Sequence, residues 1–86
     1  MEIIFSPSAL RELNTLKRAG DTIHLKKIRL LLESIQQTPF VGIGKPEALK
    51  HQLSGCWSRR ISLEHRLVYE VKKDKIVVLS IKGHYL

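Results

Sequence analysis

Between Thr38 and Trp57 the spacing of apolar residues changes period, and that change limits what an 86-residue chain can build. Before it, Leu25, Ile28, Leu31, Leu32 and Ile35 recur every three or four residues, as one face of an α-helix requires. From Trp57 onward the period is two, that of strands in a sheet. Helices come early and strands late, so the fold class is α+β.

Local signals place the boundaries. Glu2–Phe5 is a short β-rich run that stops at Ser6-Pro7. Ser6 can cap a helix, and Pro7 suits its first turn because its missing N–H would be unpaired there anyway. Leu10, Leu13 and Leu16 form the apolar stripe of this first helix, and Gly20 supplies the left-handed residue that stops it. Asp21 caps a second helix that ends before Thr38-Pro39, since the residue before proline avoids the helical region. Strands are expected over residues 57–62, 66–72 and 75–82, the last two joined by a tight turn at Lys73-Asp74. Ile76-Val77-Val78-Leu79 is apolar on both faces, which places that strand centrally, with the helices over one side. The expected order is β-α-α-β-β-β, a helical hairpin packed on a mainly antiparallel twisted sheet. The position at which Glu2–Phe5 joins the sheet is not fixed by the sequence. Residues 1–86 are expected to form one domain, because so little apolar surface cannot build two cores.

Charge narrows the partner. Fifteen Lys and Arg against eight Asp and Glu give +7 and a pI near 9.9, which suits a polyanion. Residues 1–43 carry six basic and four acidic groups, whereas residues 44–86 carry nine and four. The binding face is therefore expected in the second half, although Lys72, Lys73 and Lys75 around a turn read most simply as solubilising charge. Cys56 is the single cysteine, which excludes an internal disulfide and a cysteine-built zinc site and fits a reducing compartment. Met1-Glu2-Ile3-Ile4-Phe5 lacks the start of a secretory leader. No apolar stretch approaches the roughly 18 residues of a membrane span, so a cytoplasmic location is expected.

Several residues have chemistry to offer. Gly44-Lys45 superficially suggests a phosphate-cradling loop, but Pro46 stands where Ser or Thr would hold Mg²⁺, and a helix rather than a strand precedes it. Pro46 is expected to open a short helical turn with Glu47 in its first turn, where the local dipole favours a carboxylate. Ser58, Arg60 and Ser62 alternate with Trp57, Arg59 and Ile61, so Arg59 and Arg60 point to opposite faces and cannot both serve one site. Arg60 shares its face with small hydroxyl residues, while Arg66 shares one with Val68, Glu70 and Lys72. Arginine presents a planar fork for two phosphate oxygens and stays charged. His24, His51, His65 and His84 have no metal-ligand spacing, so neither a metal nor another cofactor is expected. His84, beside Tyr85, is able to exchange a proton near neutrality, and a basic surround would lower its pKa.

The segments Gly44-Lys45-Pro46-Glu47-Ala48-Leu49-Lys50-His51, Leu53-Ser54-Gly55-Cys56-Trp57-Ser58-Arg59-Arg60-Ile61 and Glu64-His65-Arg66-Leu67-Val68-Tyr69, with the final His84-Tyr85, resemble the YoeB toxins of the RelE superfamily. The resemblance spans nearly the whole chain. It implies a RelE-like fold and a ribosome-dependent endoribonuclease of a type II toxin–antitoxin system. It also assigns roles: Glu47 as general base, Arg66 as catalytic arginine, His84 as general acid, Lys50 and Arg60 as phosphate-positioning groups, and Tyr85 as the aromatic that positions substrate. Leu86 follows the tyrosine that commonly ends the family, and Cys56 stands where relatives often carry an aromatic.

On that set the chemistry needs no metal. Glu47 would draw the proton from a ribose 2′-OH, the oxygen would attack the adjacent phosphorus, and His84 would protonate the leaving 5′-oxygen. A 2′,3′-cyclic phosphate would result, and DNA, lacking the nucleophile, would be inert. The partners implied are a YefM/Phd-like antitoxin, the ribosome with its messenger RNA, operator DNA only through the antitoxin, and a second copy of the chain as a homodimer. The alternative reading is a non-enzymatic binder, either a ParE-type toxin or a basic ribosome-binding module. It explains the charge and leaves Glu47 and His84 without a joint role.

Overall fold

The computed structural model describes residues 1–83 of the chain. Strand β1 (Glu2–Phe5) leads into helices α1 (Pro7–Arg18) and α2 (Thr22–Gln37). A two-residue strand β2 (Glu47–Ala48), one 3₁₀ turn at His51–Leu53, and strands β3 (Cys56–Arg60), β4 (Arg66–Val71) and β5 (Lys75–Gly83) follow. They form one five-stranded sheet in the order β1-β5-β4-β3-β2. β1 runs parallel to β5 and the other pairs are antiparallel, so the sheet is mixed. The α+β architecture and the helical hairpin are as the sequence implies, and β5 is an interior strand with a neighbour on either side.

The helix boundaries follow from their caps. The Ser6 hydroxyl accepts the Ala9 N–H at 3.1 Å and donates to the Leu79 carbonyl at 3.0 Å, so one side chain starts α1 and ties it to β5. Gly20 has φ 68° and ends the first helix region. Asp21 accepts the His24 N–H at 3.2 Å and also meets His24 Nδ1 at 2.6 Å. That side-chain contact, with the backbone bond second, holds the Asp21 carboxyl below its ordinary value.

Three expectations need correction. The first concerns α1: Leu10, assigned to its apolar stripe, is 47% exposed, while Ala9 is fully buried. A small residue at the contact lets the helix lie close to β5, with Leu13 and Leu16 packed beside it. The second is the turn expected at Pro46, which is absent. Glu47 and Ala48 pair with Ser58 and Trp57 as an edge strand, and the helical turn comes later, at His51–Leu53. The carboxylate of Glu47 therefore has no helix terminus to favour it. Thirdly, β3 begins one residue before Trp57 and stops at Arg60. Ile61 and Ser62 instead donate their N–H groups to the His65 carbonyl in a turn.

Alternation along the strands sorts the side chains. Leu67 and Tyr69 of β4 and Ile76, Val78 and Ile81 of β5 pack against Ile28, Leu31 and Ile35 of α2 and Ala9 of α1. Each fully buried aliphatic side chain there contributes about 1.5–3 kcal/mol. The other face carries Ser58, Arg60, Arg66 and Val68. Between β4 and β5 the register shifts twice, between Arg66 and Val68 and between Val68 and Tyr69. Beside those shifts the Ile81 N–H is taken by the Glu12 carboxylate at 2.8 Å, which also accepts from Ser80. The outcome places Gly83 directly opposite Arg66.

Candidate active site

A cleft of about 530 Å³ opens on the sheet face opposite the helical hairpin. Glu47, Lys50, His51, Leu53, Arg66 and Gly83 are among the residues lining it. Three of the residues singled out in the sequence, Glu47, Lys50 and Arg66, thus meet in one place. Arg60 is the cross-strand partner of Arg66 on the same face, but it does not line the cleft. His84 and Tyr85 lie outside the described residues. Gly83, which precedes them in the chain, is at the cleft wall.

Each charged group is held by a definable local structure. Glu47 stands opposite Ser58 across the β2–β3 pair. Arg66, only 7% exposed, donates from Nε to the Ser58 hydroxyl at 2.9 Å and from Nη2 to the Lys45 carbonyl at 3.2 Å. Ser58 is fully buried and belongs to β3, so the guanidinium is fixed in the sheet rather than swinging from its surface. Lys45 and His51 are non-glycine residues in the left-handed region, at φ 51° and 58°. Such conformations are costly for residues with a Cβ and persist where surrounding contacts impose them. They flank the segment that carries Glu47 and Lys50.

Arg59 is the functional-looking residue that sequence reasoning passed over. It is completely buried on the helix side of β3. Its Nε donates to the Tyr69 hydroxyl at 3.2 Å. Nη1 donates to Ser34 Oγ at 2.6 Å and the Ile43 carbonyl at 3.2 Å, and Nη2 to the carbonyls of Thr38 and Val41 at 2.6 and 2.9 Å. All five N–H donors of the guanidinium are used. Tyr69 in turn donates to the Pro39 carbonyl at 2.6 Å, and burial, partly opposed by Arg59, pushes its phenol above the ordinary range. Among the described residues no carboxylate forms an ion pair with Arg59; carbonyl and hydroxyl dipoles meet the charge, with the Tyr69 ring 6.0 Å from the guanidinium carbon. The sequence signal was its parity, an arginine sharing the strand face of Trp57 and Ile61.

The loop wrapped around Arg59 requires glycine. At Gly44, φ is 82°, and a Cβ would stand 2.7 Å from Leu31 Cδ2 and 3.2 Å from the Arg59 Cβ. At Gly42, φ is 130°, and a Cβ would meet Ser34 Oγ at 2.5 Å. The loop whose Gly44-Lys45 superficially suggests phosphate binding is instead a close approach of backbone to a buried arginine.

Comparison with known proteins decides the family. Residues 5–85 match the model of the YoeB-like toxin of bacterial type II toxin–antitoxin systems. The chain belongs to the YoeB toxin family. It is similar to Toxin YoeB of Escherichia coli K12, with 54% identity over 61 residues that cover 71% of this chain and 73% of that one. Among solved structures, a YoeB dimer from Staphylococcus aureus superposes with a TM-score of 0.92 at 45% identity, covering 99% of this chain and 98% of that chain. YoeB in a heterotetrameric YoeB–YefM toxin–antitoxin complex from the same organism gives 0.89 at 45% identity over the same shares. This YoeB-family chain is accordingly a toxin of a type II toxin–antitoxin system. Among the described residues, no helix is long and apolar enough to cross a membrane.

Proposed function

We propose that this toxin is a ribosome-dependent endoribonuclease that cleaves translated messenger RNA. The observation that carries the reading is the convergence of a carboxylate, Glu47, and two cations, Lys50 and Arg66, on one cleft. A binding surface for polyanion needs the cations and gains nothing from the carboxylate; acid–base attack needs both. Glu47 is the general base for the 2′-OH, Arg66 meets the charge that develops on the phosphoryl oxygens, and Lys50 and Arg60 position the backbone. His84 is the general acid and Tyr85 the aromatic that orients a base.

The partner is an acidic antitoxin of the YefM type, which covers the basic half of the chain and blocks the cleft. A homodimer is the state of the toxin alone, by likeness to the YoeB dimer from Staphylococcus aureus. The protein acts in the cytoplasm, where its substrate is translated.

Primer extension on a messenger RNA in a translating extract tests the activity. Cleavage within the translated frame is expected, with little on the same RNA stripped of ribosomes, because the ribosome supplies the in-line geometry. Intact RNA in the translating extract would move the protein to the non-enzymatic binder reading. Equal cutting of naked and translated RNA would make it a general small ribonuclease.

A further inference from the structure

We propose that Arg59 is the positioning residue of this cleft, acting from the opposite side of the sheet. The inference deepens the ribonuclease reading and rests on it. Arg59 fastens residues 38–43 to the helix side of β3 through the carbonyls of Thr38, Val41 and Ile43. The chain then crosses to the other face within a few residues. Gly44 packs on the Arg59 side chain, and its carbonyl accepts the Arg60 N–H at 2.6 Å. Lys45 follows in a left-handed conformation, with its carbonyl on Arg66 Nη2, and Glu47 follows that, opposite Ser58. The carboxylate and the guanidinium of the cleft are therefore registered to each other by a stretch whose anchor is Arg59.

The chemistry of the anchor supports a positioning role. A buried charge that meets no carboxylate among the described residues is a poor choice for stability alone, since apolar side chains of similar volume often serve as well. What an apolar side chain cannot do is hold three loop carbonyls, a serine of α2 and a tyrosine of β4 at once. The molecule also contains its own reporter. Trp57, the single tryptophan, packs against Phe40 of the anchored loop with ring centroids 4.9 Å apart and ring planes tilted by 48°.

The test compares the parental toxin with Arg59→Lys and Ser34→Ala by three measurements. These are thermal unfolding, acrylamide quenching of Trp57 fluorescence, and single-turnover cleavage of messenger RNA on stalled ribosomes at saturating toxin. Arg59→Lys keeps the charge and loses the fork. It is expected to fold, to expose Trp57 to quencher, and to cleave roughly 10- to 100-fold more slowly, with the half-saturating toxin concentration unchanged. Ser34→Ala should move quenching and rate in the same direction by less, and it decides the matter if Arg59→Lys does not fold. Loosened Trp57 with a parental rate, in whichever folded variant decides, would overturn the proposal. So would a lowered rate with Trp57 unchanged, since the residue would then not act through the loop. A parental toxin that fails to cut overturns the ribonuclease reading itself and this inference with it.

Discussion

Arg66 Nε and the Ser58 hydroxyl are joined at 2.9 Å across the β3–β4 ladder, which makes a fully buried serine the mount of the cleft's arginine. Ser58→Ala leaves the charge and removes its support. Cleavage of translated RNA should fall about tenfold, the equivalent of one hydrogen bond to a charged group. Single-turnover rates for the two proteins check this, and an unchanged rate would mean that Arg66 is held in place without Ser58.

Glu47→Gln and Arg66→Ala each remove one charge from the cleft and, on the proposed roles, lower cleavage by roughly 10²–10⁴. Growth arrest on induction should vanish for both. Glu47 is an exposed edge-strand residue, so Glu47→Gln should melt at the parental temperature. A folded Glu47→Gln protein that cuts at the parental rate would remove Glu47 from the mechanism.

Tyr69→Phe deletes a hydroxyl that accepts from Arg59 and donates to Pro39. It leaves one guanidinium N–H unpaired in the interior and removes the donor to the half-buried Pro39 carbonyl. The expected loss is about 1–3 kcal/mol. For a chain of this size each kcal/mol corresponds to a fall in Tm of about 4–8 °C, readable by circular dichroism.

Acid should weaken the start of α2. The Asp21 carboxyl is held below its ordinary 3.8, first by the His24 side-chain contact and then by the His24 backbone N–H. A carboxyl depressed in the folded state stabilises it above the unfolded value and loses that contribution as pH falls through the folded value. Unfolding midpoints measured from pH 6 to pH 2 should therefore drop below about pH 4, and Asp21→Asn should flatten that part of the profile. A profile that keeps its full slope in Asp21→Asn would place the acid sensitivity elsewhere.

Much of the fold was legible because caps and periods are local. Ser6, Gly20 and Asp21 mark helix ends by their own side-chain and backbone chemistry, and they do so here. What failed depended on distant partners. Pro46-Glu47 has the local chemistry of a helical turn, but hydrogen bonds offered by the open edge of β3 outweigh it. Leu10 yields its place to Ala9 because the distance between α1 and β5, not hydrophobicity, selects the contact residue.

The site was legible in outline only. Glu47, Lys50 and Arg66 belong to three neighbouring segments whose convergence needs β2 to pair with β3, a pairing that spacing did not reveal. Arg59 escaped notice because five separate acceptors, spread from Ser34 to Tyr69, make a buried arginine acceptable. No window of sequence contains them together.

The parallel pairing of β1 with β5 sets an order for folding. Ser6 finds its carbonyl partner at Leu79, 73 residues away, and Glu2 lies beside Lys75. A nascent chain made at about 5–20 residues per second therefore has its first strand in hand for seconds before the template for it exists. The helical hairpin is able to form early from local contacts, whereas the sheet it covers closes only when β5 has emerged. A chain stalled before residue 75 lacks both the partner for β1 and the strand that brings Gly83 against Arg66. A toxin chain that ends before residue 75 thus cannot close the sheet on which the cleft is built, and the proposed activity has to wait until synthesis has passed the last strand.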